Sequence, residues 1–130
     1  MIAHKRILVV DDEAMVLFIF NATLQELGNG NEIVTAQNGH EALEAFRKQP
    51  FDLVITDLSM PGMDGIQLTE AIKAAQPDTA VVWITAYGCH NVTSDASRLG
   101  VVGCRDKPLE VQEILQMAKE ALDNNHHATV

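Results

Sequence analysis

The sequence predicts an α/β protein built on one doubly wound, five-stranded parallel sheet with strand order 2-1-3-4-5. Three observations lead there. Five short apolar runs alternate with five stretches of helical spacing, and such alternation implies parallel strands joined by right-handed crossovers. Three of the apolar runs are near-continuous Val, Ile and Leu, as in strands covered on both faces. The length, 130 residues, suits one domain with a sizeable core, for which five strands in this order are the most economical doubly wound arrangement.

Strand 1 is expected over residues 7–10, where Ile7, Leu8, Val9 and Val10 run unbroken into Asp11, Asp12 and Glu13. Helix 1 follows from Leu17, Phe20, Leu24 and Leu27 at three- and four-residue steps, with Gly28 as its stop. Strand 2 is expected over 33–36, after which Asn38 caps a helix carrying Ala42, Leu43 and Phe46. Strand 3, over 53–56, ends abruptly on Asp57, with Pro61 and two glycines beyond it. Asp64 caps helix 3, marked by Leu68, Ile72 and Ala75.

Strand 4 is expected over 80–85. Helix 4, over 91–99, is weak: Asn, Thr, Ser and Asp are poor helix formers, and only Val92, Ala96 and Leu99 mark an apolar face. Strand 5 is expected over 101–104. Helix 5 has the clearest stripe, Val111, Ile114, Leu115, Ala118 and Leu122. A domain over 1–124 and a polar tail over 125–130 complete the chain. The result is a flavodoxin-like sheet, in which ligands bind at the carboxyl ends of the strands, near the point where strand order reverses.

Composition narrows the function. Hydrophobic residues make up 47% and charged residues 21%, as in soluble globular proteins, and no apolar run approaches the ~20 residues a membrane span needs. The first residues lead straight into a strand without a small-residue cleavage site, which argues against a signal peptide. A net charge of −9 argues against a nucleic-acid surface, which is expected to be basic. Cys89 and Cys104 lack metal-ligand spacing and are expected to be free thiols in a reducing cytoplasm.

The predicted order gathers the ends of strands 1, 3, 4 and 5 at one edge, bringing together Asp11, Asp12, Asp57, Thr85 and Lys107. Clustered carboxylates repel, so such a site either raises their pKa values or recruits a cation. Hard oxygen donors on a shallow edge suit Mg²⁺. Lys107 offers a positive charge to an incoming anion and Thr85 a hydroxyl. These are the parts for phosphoryl transfer to a carboxylate.

The constellation resembles the receiver domain of two-component response regulators over nearly the whole chain. Four pieces carry the resemblance in order: ILVVDDE (7–13), DLVITDLSMPGMDG (52–65), ITAYG (84–88) and DKP (106–108). It implies that Asp57 is the phosphoacceptor. Mg²⁺ would be held directly by Asp12 and Asp57, mainly through water by Asp11, and by the backbone carbonyl of Ser59. Lys107 would contact the phosphoryl group, preceding Pro108 through a cis bond, and Thr85 would swing toward that group after transfer. The implied donor is a sensor histidine kinase or a histidine phosphotransfer protein, and the implied target binds the face of helix 4, strand 5 and helix 5. Neither direct nucleic-acid binding nor a membrane is implied, and the domain is a phosphoprotein switch rather than a turnover enzyme. One departure stands out: the position three residues before the lysine, usually aromatic in the family, is Cys104.

Taken singly, Asp11 and Asp12 read as a solvated turn before a helix N-terminus, where acids are favoured, and Asp57 reads as a loop residue. Joint placement at one edge reverses that. A haloacid-dehalogenase-like aspartyl phosphatase would need a second aspartate two residues after the nucleophile, where Ser59 stands. A flavodoxin would need a phosphate loop where Asp11 and Asp12 repel phosphate. A non-phosphorylated interaction module is disfavoured because every phosphorylation residue is present. Met60 and Met63 read as loop packing, His126 and His127 as a chance pair in a polar tail, and His4, His40 and His90 as residues without a partner.

Overall fold

The structure, a computed structural model, describes residues 4–28 and 30–127. Five parallel strands form one sheet in the order β2-β1-β3-β4-β5. In chain order the elements are β1 (Arg6–Val10), α1 (Ala14–Leu24), β2 (Glu32–Ala36), α2 (Gly39–Lys48), β3 (Leu53–Asp57), α3 (Gly65–Ala75), β4 (Ala80–Thr85), α4 (Thr93–Leu99), β5 (Gly103–Asp106) and α5 (Val111–His127). The expected sheet and strand order are observed. No helix among the described residues is long and apolar enough to cross a membrane.

Period-two alternation along the strands supplies two cores. Ile7, Val9, Leu53, Ile55, Val82 and Ile84 face α1 and α5, meeting Leu17, Phe20, Leu24, Ile114, Met117 and Ala118. Leu8, Val10, Val54, Val81 and Trp83 face the other side, where α2 and α3 contribute Ala42, Leu43, Phe46, Leu68 and Ile72. Each buried aliphatic or aromatic side chain stabilises by roughly 1.5–3 kcal/mol, so these helices are firmly held. α4 has no fully buried residue, and Val92, Ala96 and Leu99 only half-cover the second core.

The expected caps are present. The Asn38 side chain accepts from Glu41 N, and Asp64 forms a reciprocal capping box with Gln67. Gly28, at φ 68°, closes the 3-10 turn Gln25–Leu27 that continues α1. Ala75 and Val111, expected on buried stripes, are exposed, and Met117 and Ala121 take the core positions on α5.

Two local expectations fail. Strand 5 begins at Gly103, two residues later than expected, because the end of α4 uses the preceding residues. Gly100 sits at φ 69° with its N–H donating to Ser97 O, and Val101 N donates to Ala96 O, a left-handed C-terminal cap. The start of the expected helix 4 is instead a 3-10 turn, Cys89–Val92, without a side-chain cap.

The cysteines are not free. Cys89 and Cys104 are joined in a disulfide, with Cα atoms 5.9 Å apart. Their separation of 15 residues gave no spacing signal, because the contact is made by topology. α4 carries the chain away and β5 returns it beside β4, with Cys104 in register with Trp83. The turn that begins at Cys89 is docked there as well, since Cys89 N donates to Asp106 Oδ1 at 2.8 Å.

Candidate functional site

Each candidate side chain stands where a strand runs out. β1 ends at Val10, and Asp11 N then donates to Ala36 O of β2 at 3.1 Å, fixing a wholly buried Asp11. Glu13 N donates to Asp11 Oδ1 at 2.9 Å, so this carboxylate also shapes the turn into α1 and leaves Asp12 exposed. β3 ends on buried Asp57, in register with Ile84 of β4.

The loop after Asp57 turns sharply. Gly62 takes φ 78°, open to glycine without penalty. Gly65 N donates to Leu58 O at 3.0 Å, and a Cβ on Gly65 would stand 2.8 Å from Leu58 Cα. α3 can start this close to the strand end only from a glycine. At the end of β4, Thr85 O accepts from Lys107 N at 2.8 Å, which aligns the residue after β5, and Lys107–Pro108 is cis as expected.

The result is a compact acidic cluster with one cation. Asp11, Asp12 and Asp57 each present an oxygen, all within 4.8 Å of one another. Lys107 Nζ donates to Asp57 Oδ2 at 3.2 Å and stands 2.9 Å from Asp11 Oδ2. The second approach is an ion pair without hydrogen-bond alignment, so Asp11 Oδ2 is buried with no aligned donor. Burial pushes the Asp57 carboxyl above its usual range and the charge of Asp11 adds to this, while Lys107 and Ser59 N oppose it. Burial alone lowers the Lys107 ammonium, but Asp11 and then Asp57 raise it by more.

Four of the expected residues, Asp11, Asp12, Asp57 and Lys107, therefore converge. Ser59 is exposed, and its N–H approaches Asp57 Oδ1 at 3.4 Å. Thr85 lies buried at the same edge with its hydroxyl held in its own loop, accepting from Tyr87 N at 2.9 Å. Among the described residues its hydroxyl makes no hydrogen bond to Asp57 or Lys107. Glu13, given no role from the sequence, has Oε1 3.8 Å from Lys107 Nζ; its place beside two aspartates was the signal. Asp106, which holds Cys89 N, had no signal beyond adjacency to Lys107.

An oxygen-only donor set with an unaligned buried carboxylate oxygen fits a hard divalent cation. The same cluster could receive an anion once such a charge is present, with Lys107 as its fixed counter-charge.

Comparison with known proteins points to one family. A family model described as the response regulator receiver domain matches residues 7–119. Transcriptional regulatory protein ZraR of Escherichia coli is 37% identical over 120 residues, covering 92% of this chain and 27% of that protein. The chain thus spans about a quarter of ZraR, but 94% of sporulation initiation phosphotransferase F of Bacillus subtilis, to which it is 31% identical over 119 residues. The crystal structure of chemotaxis protein CheY4 of Vibrio cholerae superposes with a TM-score of 0.85 at 28% identity, covering 92% of this chain and all of that one. Fold, sheet-edge chemistry and a match over most of the length converge: the chain belongs to the response regulator receiver domains of two-component systems.

Proposed function

We propose that the domain is a phosphoacceptor switch in which Asp57 receives a phosphoryl group from a histidine kinase or a histidine phosphotransfer protein. The observation that carries this reading is the convergence of Asp57 with Asp11, Asp12 and Lys107 at one strand-end cluster. An Asp57 oxygen attacks the phosphorus as the P–N bond of the donor phosphohistidine breaks. Lys107, already on Asp57 Oδ2, turns its ammonium to the phosphoryl oxygens. Thr85 releases its loop contact and donates its hydroxyl to the same group.

Asp11, Asp12, Asp57 and the Ser59 carbonyl would hold Mg²⁺, which when bound neutralises charge on the phosphoryl oxygens. Asp12 and Asp57 would serve as direct ligands, and Asp11 mainly through water. Exposed Met15 and Phe18 (68% and 69%) on α1, the helix leading from Asp12, support docking of the donor beside the site. Tyr87, Val102 and Val111 are also exposed, which supports a target on the α4–β5–α5 face. A kinase donor fed by ATP places the protein in the cytoplasm, and no turnover of an external substrate is assigned to it.

The test is acetyl phosphate labelling with Mg²⁺, read by intact-mass spectrometry. Wild type should gain one phosphoryl group and Asp57→Asn none; an adduct on the variant would overturn the assignment.

A further inference from the structure

We propose that Cys89 and Cys104 form a reversible dithiol–disulfide site that sets how readily Asp57 is phosphorylated, with small glutathione-type disulfides and thiols as its reaction partners. The proposal rests on reading Asp57 as the phosphoacceptor and Thr85 as the group that follows the phosphoryl group.

Three observations support it. The cysteines are the chain's only two, yet the fold sets their Cα atoms 5.9 Å apart, within the reach of a disulfide. Both residues are half-buried rather than sealed in a core, so small thiols reach them. The bridge also ties a lightly seated segment to a strand held in the sheet. It closes a ring around the 3-10 turn and α4, a helix without a fully buried residue, and anchors that ring to β5 at the position next to Trp83.

The chemistry balances with a named oxidant. The thiolate of one cysteine attacks a sulfur of glutathione disulfide, forming a mixed disulfide and releasing one glutathione thiolate. The second cysteine attacks the protein sulfur of that mixed disulfide, forming the intramolecular bond and releasing the second glutathione. Two electrons pass from the protein thiols to the glutathione disulfide, and the two thiol protons end on the two glutathione molecules. Excess reduced glutathione reverses both steps.

Coupling to the acidic edge follows from chain length. Only Ala86, Tyr87 and Gly88 separate Thr85 from Cys89, and Thr85 Oγ1 is held by Tyr87 N in the same loop. With Cys89 bonded to β5, displacement of Thr85 toward Asp57 must be absorbed within those three residues. The disulfide therefore favours the arrangement seen here, and the dithiol releases it. By linkage, whatever factor oxidation removes from affinity for a phosphoryl mimic, the mimic removes from the disulfide equilibrium.

The experiment uses the full chain equilibrated across ratios of reduced to oxidised glutathione, quenched with an alkylating agent and read by intact mass. Wild type should pass from two alkylated cysteines to none as the ratio falls. Beryllofluoride with Mg²⁺ should move that transition toward the dithiol. Oxidised protein should bind beryllofluoride more weakly than reduced protein by the same factor, about five-fold or more, and Cys89→Ser/Cys104→Ser should be indifferent to the buffer. Two alkylated thiols at every ratio, or equal beryllofluoride affinity in both redox forms, overturns the proposal. If the reduced protein and the double-serine variant also bind no beryllofluoride, the phosphoacceptor reading has failed and the coupling falls with it. The alkylation pattern separates that result from failure of the cysteine pair.

Discussion

At the scale of single residues, the acidic edge is under electrostatic tension. Asp57 is held above its usual pKa chiefly by burial and next by Asp11. A raised folded-state value means that the native state binds its proton more tightly than the unfolded chain does. Stability linked to Asp57 is then full below the ordinary carboxylate range and declines as pH rises through the raised value. In metal-free buffer Asp57→Asn should therefore melt above wild type at neutral pH, with the difference closing as pH falls toward 4. Thermal scans of both proteins across that range check this; a variant less stable at neutral pH contradicts it. Mg²⁺ should raise the wild-type melting temperature, and Asp12→Ala should lose that rise. Gly65→Ala should lower it by several degrees, as a Cβ would stand 2.8 Å from Leu58 Cα. The acidic residues were legible because each follows an apolar run that could only be a strand. The cysteine pair was not, because two half-buried positions on a turn and a strand carry no periodic signature.

Between elements, stability is unevenly spread. Helices 1, 2, 3 and 5 announced themselves through apolar stripes, since burial on one face imposes a period, and α2 and α3 also through the capping residues Asn38 and Asp64 that free N–H groups demand. α4 and β5 were less legible because a glycine cap and the residue after it, not hydrophobicity, decide where one ends and the other begins. In the chain-entropy account, a disulfide closing about 15 residues is worth roughly 3 kcal/mol. Reduction should accordingly lower the urea midpoint, and Cys89→Ser/Cys104→Ser should match the reduced protein. Hydrogen exchange in residues 87–99 should differ between free and beryllofluoride-bound protein, with residues 101–105 changing less. Equal exchange in the first segment would rule out α4 as the element that moves.

For the molecule as a whole, parallel topology was readable from alternation alone, because a βαβ crossover leaves little choice of hand or neighbour. Its surface was not, since exposed apolar side chains interrupt a pattern rather than make one. Phe18 and Met15 illustrate this: on α1 they fall on the outer face, away from the stripe of Leu17, Phe20 and Leu24. If they form a donor-docking patch, Phe18→Ala should slow phosphoryl transfer from a protein donor at least several-fold and leave acetyl phosphate labelling unchanged. Loss of both would assign Phe18 to folding instead.

Trp83 has a mechanical consequence for the whole sheet. Its indole N–H, wholly buried, donates to Thr69 Oγ1 at 2.8 Å, and that hydroxyl donates to Gly65 O at 2.7 Å. The first turn of α3 is thereby riveted to β4 just below the site, while the neighbouring bank carries only a short, shallowly seated helix. A push applied at the strand ends meets one stiff wall and one compliant one. Displacement is absorbed more easily on the compliant side, where α4 has no fully buried residue.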